Sequence, residues 1–189
     1  MNLVMAVFSA TSFSIFFMKF QKTIEDMLTL PLSYVELVIS LIFGGIVRAL
    51  GISVALAVVA FLFGVNELAH PLVLLGYVLL ASILFGLLGV VAGIWADNNF
   101  EKFGFITNFI LTPLSFLGGA FYSVTMLPET WQFLVHWNPI FYVVDGIRYA
   151  LTGYHEASLL LGVSILGGLS AITLGICVWI FTTGWKLRA

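Results

Sequence analysis

PLVLLGYVLLASILFGLLGVVAGIWA, residues 71–96, contains no charged side chain. As a helix rising ~1.5 Å per residue it is about 39 Å long, more than the ~30 Å hydrocarbon core of a bilayer. Just upstream, residues 36–63 read ELVISLIFGGIVRALGISVALAVVAFLF, with Arg48 the only charge past Glu36. Met1–Met18, Phe105–Tyr122 and Ala157–Thr182 repeat the pattern. These runs of roughly 18 to 28 residues have the length of helical spans and lack the two-residue alternation of barrel strands. An all-α membrane protein with five transmembrane helices follows, organised as one transmembrane domain over residues 1–189.

Composition agrees. Charged residues are 8% of the chain and apolar ones 61%, with a mean hydropathy of +1.14. Soluble domains carry about 25% charged residues, because their surface faces water. The net charge of −2 excludes a strongly basic surface and gives no basis for nucleic-acid binding. Cys177, the single cysteine, lies in an apolar run and reads as a small buried hydrophobe.

Between the spans lie the breaks Lys19–Val35, Gly64–His70, Asp97–Gly104, Ser123–Glu156 and the tail Thr183–Ala189. Lys19, Lys22, Lys102, Lys186 and Arg188 fall in alternate breaks, against Arg148 alone on the other side. By the positive-inside bias this predicts a cytoplasmic C-terminus, provided Ser123–Glu156 leaves and re-enters the same face. Pro128 and Pro139 suit helix starts and Gly153 a helix stop, so two short helices are expected, Pro128–Trp137 and Pro139–Thr152. The second, about 21 Å long, is too short to span and carries Asp145 and Arg148 on one face. An outer re-entrant hairpin fits; a pair of interfacial helices fits as well. Trp131, Trp137, Tyr142 and Tyr149 suit either an interfacial aromatic belt or the lining of an exit.

The first break predicts a short cytoplasmic amphipathic helix. Ile24, Met27 and Leu28 form its apolar stripe, Lys22, Glu25, Asp26 and Thr29 its polar faces, and Pro31 its end. It either lies in the headgroup layer or docks on a cytoplasmic partner. Arg48 lies about 18 Å along the helix from Glu36, and so either snorkels to the cytoplasm or faces a partner or wet cavity. Gly44, Gly45, Gly51, Gly86, Gly89, Gly93, Gly118, Gly119, Gly162, Gly167 and Gly168 mark sites of close helix approach. Gly89 and Gly93 make a GxxxG step that serves packing within one chain or between two.

Enzyme chemistry finds no support. His70, His136 and His155 have no metal-ligand spacing, and no GxxxxGK[ST] phosphate loop occurs. No cofactor is expected to bind this chain. A proton-coupled carrier would want carboxylates in mid-span, and none is present.

The order of these features is distinctive: an amphipathic helix after the first span, then Pro113 in LTPLSFLGGAFYSVTMLP (111–128), then WNPIFYVVDGIRYALTG (137–153). It resembles the permease subunits of type-2 ABC transporters, and most closely the small bacterial exporters of drugs, lipo-oligosaccharides or other hydrophobic molecules. Asn138, Pro139, Tyr142, Gly146, Arg148 and Gly153 match the family's C-terminal hallmark. The resemblance implies two permeases, as a homo- or heterodimer, and two ABC ATPase subunits that hold ATP and magnesium. It makes Phe20–Leu32 the coupling helix, with Glu25 and Asp26 meeting basic groups of the ATPase and Ile24, Met27 and Leu28 anchoring it. It places the chain in the bacterial inner membrane, and implies a further N-terminal interfacial helix and first span ahead of the stretch that begins here. An inactive truncated permease or a non-transporting membrane scaffold is the alternative.

Overall fold

The computed structural model describes residues 1–28, 31–62, 69–96, 99–120, 122, 124–126 and 128–187, with the side chains of Glu25, Asp26, Leu28, Ala60, Phe61, Thr125, Glu129 and Thr130 excepted. Among the described residues every regular element is helical. The helices are α1 (Asn2–Phe20), α2 (Thr23–Leu28), α3 (Tyr34–Leu62), α4 (Pro71–Ala96), α5 (Phe100–Phe105), α6 (Thr112–Phe116), α7 (Glu129–His136), α8 (Pro139–Thr152) and α9 (Leu159–Thr183). A π-helical turn, Ile106–Leu111, joins α5 to α6, and a 3-10 turn, Val124–Met126, precedes α7.

Helix α4 is the axis of the bundle. Its residues Tyr77, Val78, Ala81, Leu84, Phe85, Leu87, Val90 and Ile94 are all buried, and α1, α3, α8 and α9 pack around it. Lipid offers no hydrophobic drive between helices, so close backbone approach has to supply the contact. The GxxxG step does this within the chain. A Cβ on Gly89 would stand 2.8 Å from the Phe8 carbonyl oxygen of α1, and one on Gly93 2.6 Å from that of Ser12. Gly45 brings α3 against Thr11 of α1 in the same way, at 2.8 Å. Gly44, Gly51, Gly167 and Gly168 instead face open space.

Among the described residues four helices, α1, α3, α4 and α9, are long and apolar enough to cross a membrane. The stretch read as a span over Phe105–Tyr122 differs from them. Its helix begins earlier, at Phe100, capped by the Asn99 carboxamide oxygen, which accepts from the Glu101 (2.8 Å) and Lys102 (3.2 Å) backbone N–H groups. It ends earlier too, at Phe116, about 25 Å on at helical rise. Pro113 explains the break in mid-course: with no N–H it leaves the Phe109 carbonyl without its helical donor, and the backbone widens into the π turn before it. The Thr112 hydroxyl donates to the Thr107 carbonyl at 2.9 Å across that turn.

The two ends of the bundle are chemically different. At the C-terminal end of α4, Lys19 reaches the Ile94 carbonyl (3.5 Å), and Lys102 and Lys186 lie over the Trp95 ring at 5.8 and 5.9 Å. Ile24 of α2 is buried in the cluster at this end, which includes Leu37, Val38, Ile94, Ile180 and Leu187. At the other end, the His70 N–H donates to the Ala150 carbonyl of α8 (3.0 Å), and the His70 ring stacks on Tyr149 at 4.7 Å. The segment between α6 and α9 therefore returns to the end of the bundle it left.

Gly93→Leu should separate α1 from α4, with an overpacking cost of about 1–3 kcal/mol. The purified chain in detergent should melt several degrees lower, whereas Gly168→Ala, in open space, should leave the melting temperature unchanged or slightly raised.

Candidate functional site

The richest polar assembly lies where α8 meets the start of α9. The sequence sets α8 locally. The Asn138 carboxamide oxygen accepts from the Ile140 N–H at 3.0 Å, Pro139 fills the first helical position, and Gly153 ends the helix in the left-handed region at φ 76°. The Asn138 amide also donates to the Leu114 carbonyl of α6 at 2.6 Å, tying the α7–α8 corner to the preceding helix. Tyr142 donates from its hydroxyl to the His136 carbonyl at 2.9 Å, bracing the same corner. Burial raises its phenol above the ordinary pKa, so it remains a donor.

The charges on α8 divide their roles. Asp145, 2% exposed, accepts from the Glu156 and Ala157 backbone N–H groups at 2.8 and 2.9 Å, using one oxygen for each. These donors belong to the chain entering α9, so the carboxylate supplies what a buried loop would otherwise lack. Arg148 pairs with Glu156 (Nη1 to Oε1, 2.8 Å) and donates from Nη2 to the Gly119 carbonyl at 2.6 Å. The second oxygen of Glu156 accepts from the Val124 N–H at 3.1 Å. Asp145, Arg148 and Glu156 thus bind α8, the turn after α6 and the lead into α9 into one unit.

Tyr77 of α4 completes it. Its ring lies against Gly146, where any Cβ would overlap it, and its hydroxyl donates to the Leu159 carbonyl at 2.9 Å. A Cβ on Gly162 would stand 2.7 Å from that hydroxyl. Gly146 and Gly162 are therefore the two walls of a slot for one tyrosine.

The residues singled out from sequence fall into three places. Asn138, Pro139, Tyr142, Asp145, Gly146 and Arg148 are brought together at this junction, while Trp131 of α7 is half exposed and stands outside it. Lys22 is exposed, in the left-handed region at φ 61°, beside α2. Ile24 points into the chain's own core, Met27 is partly buried, and the side chains of Glu25, Asp26 and Leu28 lie outside the described residues. Arg48 is exposed halfway along α3, in a groove shared with α1 and α5.

Sequence reading missed Glu156 and Tyr77, and marked Gly162 only as a site of close helix approach, without its partner. Glu156 was visible as a carboxylate eight positions beyond Arg148, but only the fold of the α8–α9 turn makes it the partner. Tyr77 sits in an apolar run and gives no signal of its own. Among the described residues no cluster of three or more potential ligands can hold a metal ion.

Comparison with known proteins sets this geometry in context. A family described as "ABC-2 type transporter" matches residues 1–152. The inner membrane transport permease YadH of Escherichia coli K12 is 34% identical over 167 residues, 88% of this chain and 64% of that protein. Nodulation protein J of Rhizobium leguminosarum bv. viciae is 26% identical over 149 residues, 79% of this chain and 57% of that protein. The chain thus spans somewhat under two thirds of the length of these relatives. No solved structure matches it.

Asp145→Ala should leave two buried N–H groups without acceptors, at about 1–3 kcal/mol each. Thermal unfolding in detergent should show the loss, while Trp137→Ala, at an exposed position, should shift stability by less than about 0.5 kcal/mol. With most of its length matched, and with apolar helices of spanning length, this integral membrane protein belongs to the ABC-2 type transporter family.

Proposed function

We propose that the chain is the membrane-spanning permease part of an ATP-driven exporter in the bacterial inner membrane, and that it moves a hydrophobic or amphipathic substrate out of the cell. Drugs, lipids and lipid-linked saccharides are the substrate classes in view. The observation that carries the reading is the family match over residues 1–152, reinforced by the relative named as an inner membrane transport permease. In this reading ATP and magnesium reside on a separate ABC ATPase, and a second permease completes the pathway.

In this reading α2 is the coupling helix, and the packing around it supports that role. Ile24 fastens α2 to the cluster at the C-terminal end of α4, so a displacement of α2 is passed to packed side chains and not lost in a loose loop. Lys22, Glu25 and Asp26 then belong to the polar faces that would meet the ATPase. Helix α4 runs unbroken from that end to Tyr77, which is held between Gly146 and Gly162. A push at α2 would thereby reach the α8–α9 junction at the far end. In the same reading α7 and α8 dip into the outer leaflet and return, and the broken α5–α6 helix is the fifth crossing. The cations around Trp95 support assigning that end, and with it the C-terminus, to the cytoplasm.

Three measurements test this. The chain should co-purify with an ABC ATPase, and Glu25→Lys with Asp26→Lys should reduce transport at least about tenfold while leaving membrane insertion intact, since both charge reversals act at contact range. A membrane scaffold or inactive permease would form no such complex, and unchanged transport would remove α2 from the coupling path. A tag placed after Ala189 should be shielded from an impermeant reagent in intact cells, and labelling from outside would reverse the orientation.

A further inference from the structure

Arg48 stands near the midpoint of α3, about 21 Å along the helix from either Tyr34 or Leu62. An arginine side chain is far shorter than that, so snorkelling alone does not bring its charge to either end. Its guanidinium is exposed, and it has no ion pair or hydrogen bond among the described residues. The elements beside it offer no compensation. Helix α1 has no carboxylate at all, and among the described residues neither Glu36 of α3 nor Glu101 of α5 lines the groove at Arg48 or pairs with it. An arginine in mid-bilayer requires a wet cavity or a partner.

The surroundings have the form of a receptor for a small polar group. Arg48, Ser9, Ala10, Phe13, Ser14 and Phe103 line a groove of about 390 Å³. The Ser14 hydroxyl is engaged with the Ala10 carbonyl at 2.8 Å. That of Ser9 makes no hydrogen bond among the described residues, so it and Arg48 are two donors without acceptors. Phe13 and Phe103 form apolar walls, with ring centroids 6.2 Å apart. From Phe13 an exposed aromatic stripe continues along α1 through Phe17 and Phe20, at centroid spacings of 5.9 and 6.4 Å.

We infer that this groove binds the anionic headgroup of an amphiphile. A phosphate or carboxylate would be held by Arg48 and Ser9, with its hydrocarbon tail along Phe13, Phe17 and Phe20. Charge complementarity selects the head, because guanidinium matches phosphate and carboxylate oxygens in bidentate geometry. The aromatic stripe selects a tail, which a free anion lacks. As a substrate contact the site rests on the exporter reading; as a binding site it stands apart from it.

The test uses the full chain in phosphatidylcholine nanodiscs, without ATP or ATPase, titrated with fluorescent dodecyl phosphate and the matching dodecyl trimethylammonium. The chain should bind the phosphate amphiphile at least about tenfold more tightly. Arg48→Gln should abolish that preference, Arg48→Lys should keep part of it, and Ser9→Ala should weaken phosphate binding while the protein stays monodisperse. Equal binding of the two amphiphiles, or a preference that survives Arg48→Gln, overturns the assignment. So does inorganic phosphate competing as well as dodecyl phosphate, which would indicate a free-anion site. Crosslinking of Ser14→Cys between two copies without amphiphile would put protein in the groove and also overturn it. Failure here leaves co-purification with an ATPase unaffected, and failure of co-purification leaves this binding result unaffected.

Discussion

The absence of a side chain at Gly89 and Gly93 lets the backbone of α1 lie against α4, and the bundle is arranged around that contact. In water such a packing choice would be one contribution among many. In lipid, exposed and buried apolar side chains see similar surroundings, so dispersion at close range decides which helices adhere. Once α1 is seated, Thr11 faces Gly45 of α3 and Ile15 sits in the cluster with Leu87, Val90 and Ile94. The order α3, α1, α4 follows from small residues placed on facing sides.

A second constraint acts at the opposite end. The chain leaves α6 and wanders through two short helices before entering α9, and its backbone polar groups must find partners on the way. Asp145 and Glu156 accept three backbone N–H groups between them, while Arg148 satisfies the Gly119 carbonyl and neutralises Glu156. This assembly turns a polar excursion into a packed part of the protein. Tyr77, lodged between Gly146 and Gly162, then registers it against α4. The same contact ties the junction to α4, whose other end shares a buried cluster with Ile24 of α2.

Much of this was legible in the residues. A short helix near Thr23, the corner at Asn138-Pro139 and the stop at Gly153 were all announced by local chemistry and recur in the structure. Local chemistry was silent where the partner lies far along the chain. Asp145 and Arg148 look like a helix-face couple by spacing, yet the carboxylate holds the α9 lead and the guanidinium goes to Glu156. The helix through Pro113 was read as an uninterrupted span, because hydropathy does not register the missing N–H that widens the backbone there. Ile24 was legible as apolar, but its burial in its own bundle was not.

Sequence by itself determined the solvent and the secondary structure: an 8% share of charged residues and long apolar runs leave helices in lipid as the consistent solution. It also determined the local caps and breaks, since proline, glycine and asparagine act on their nearest backbone neighbours. Tertiary structure alone decided which glycines are contacts and which face open space, which carboxylate meets Arg148, and that Arg48 opens onto a groove lined by no acid among the described residues. Those outcomes depend on groups brought together from distant positions, and no pattern within a single helix encodes the distance between two helices.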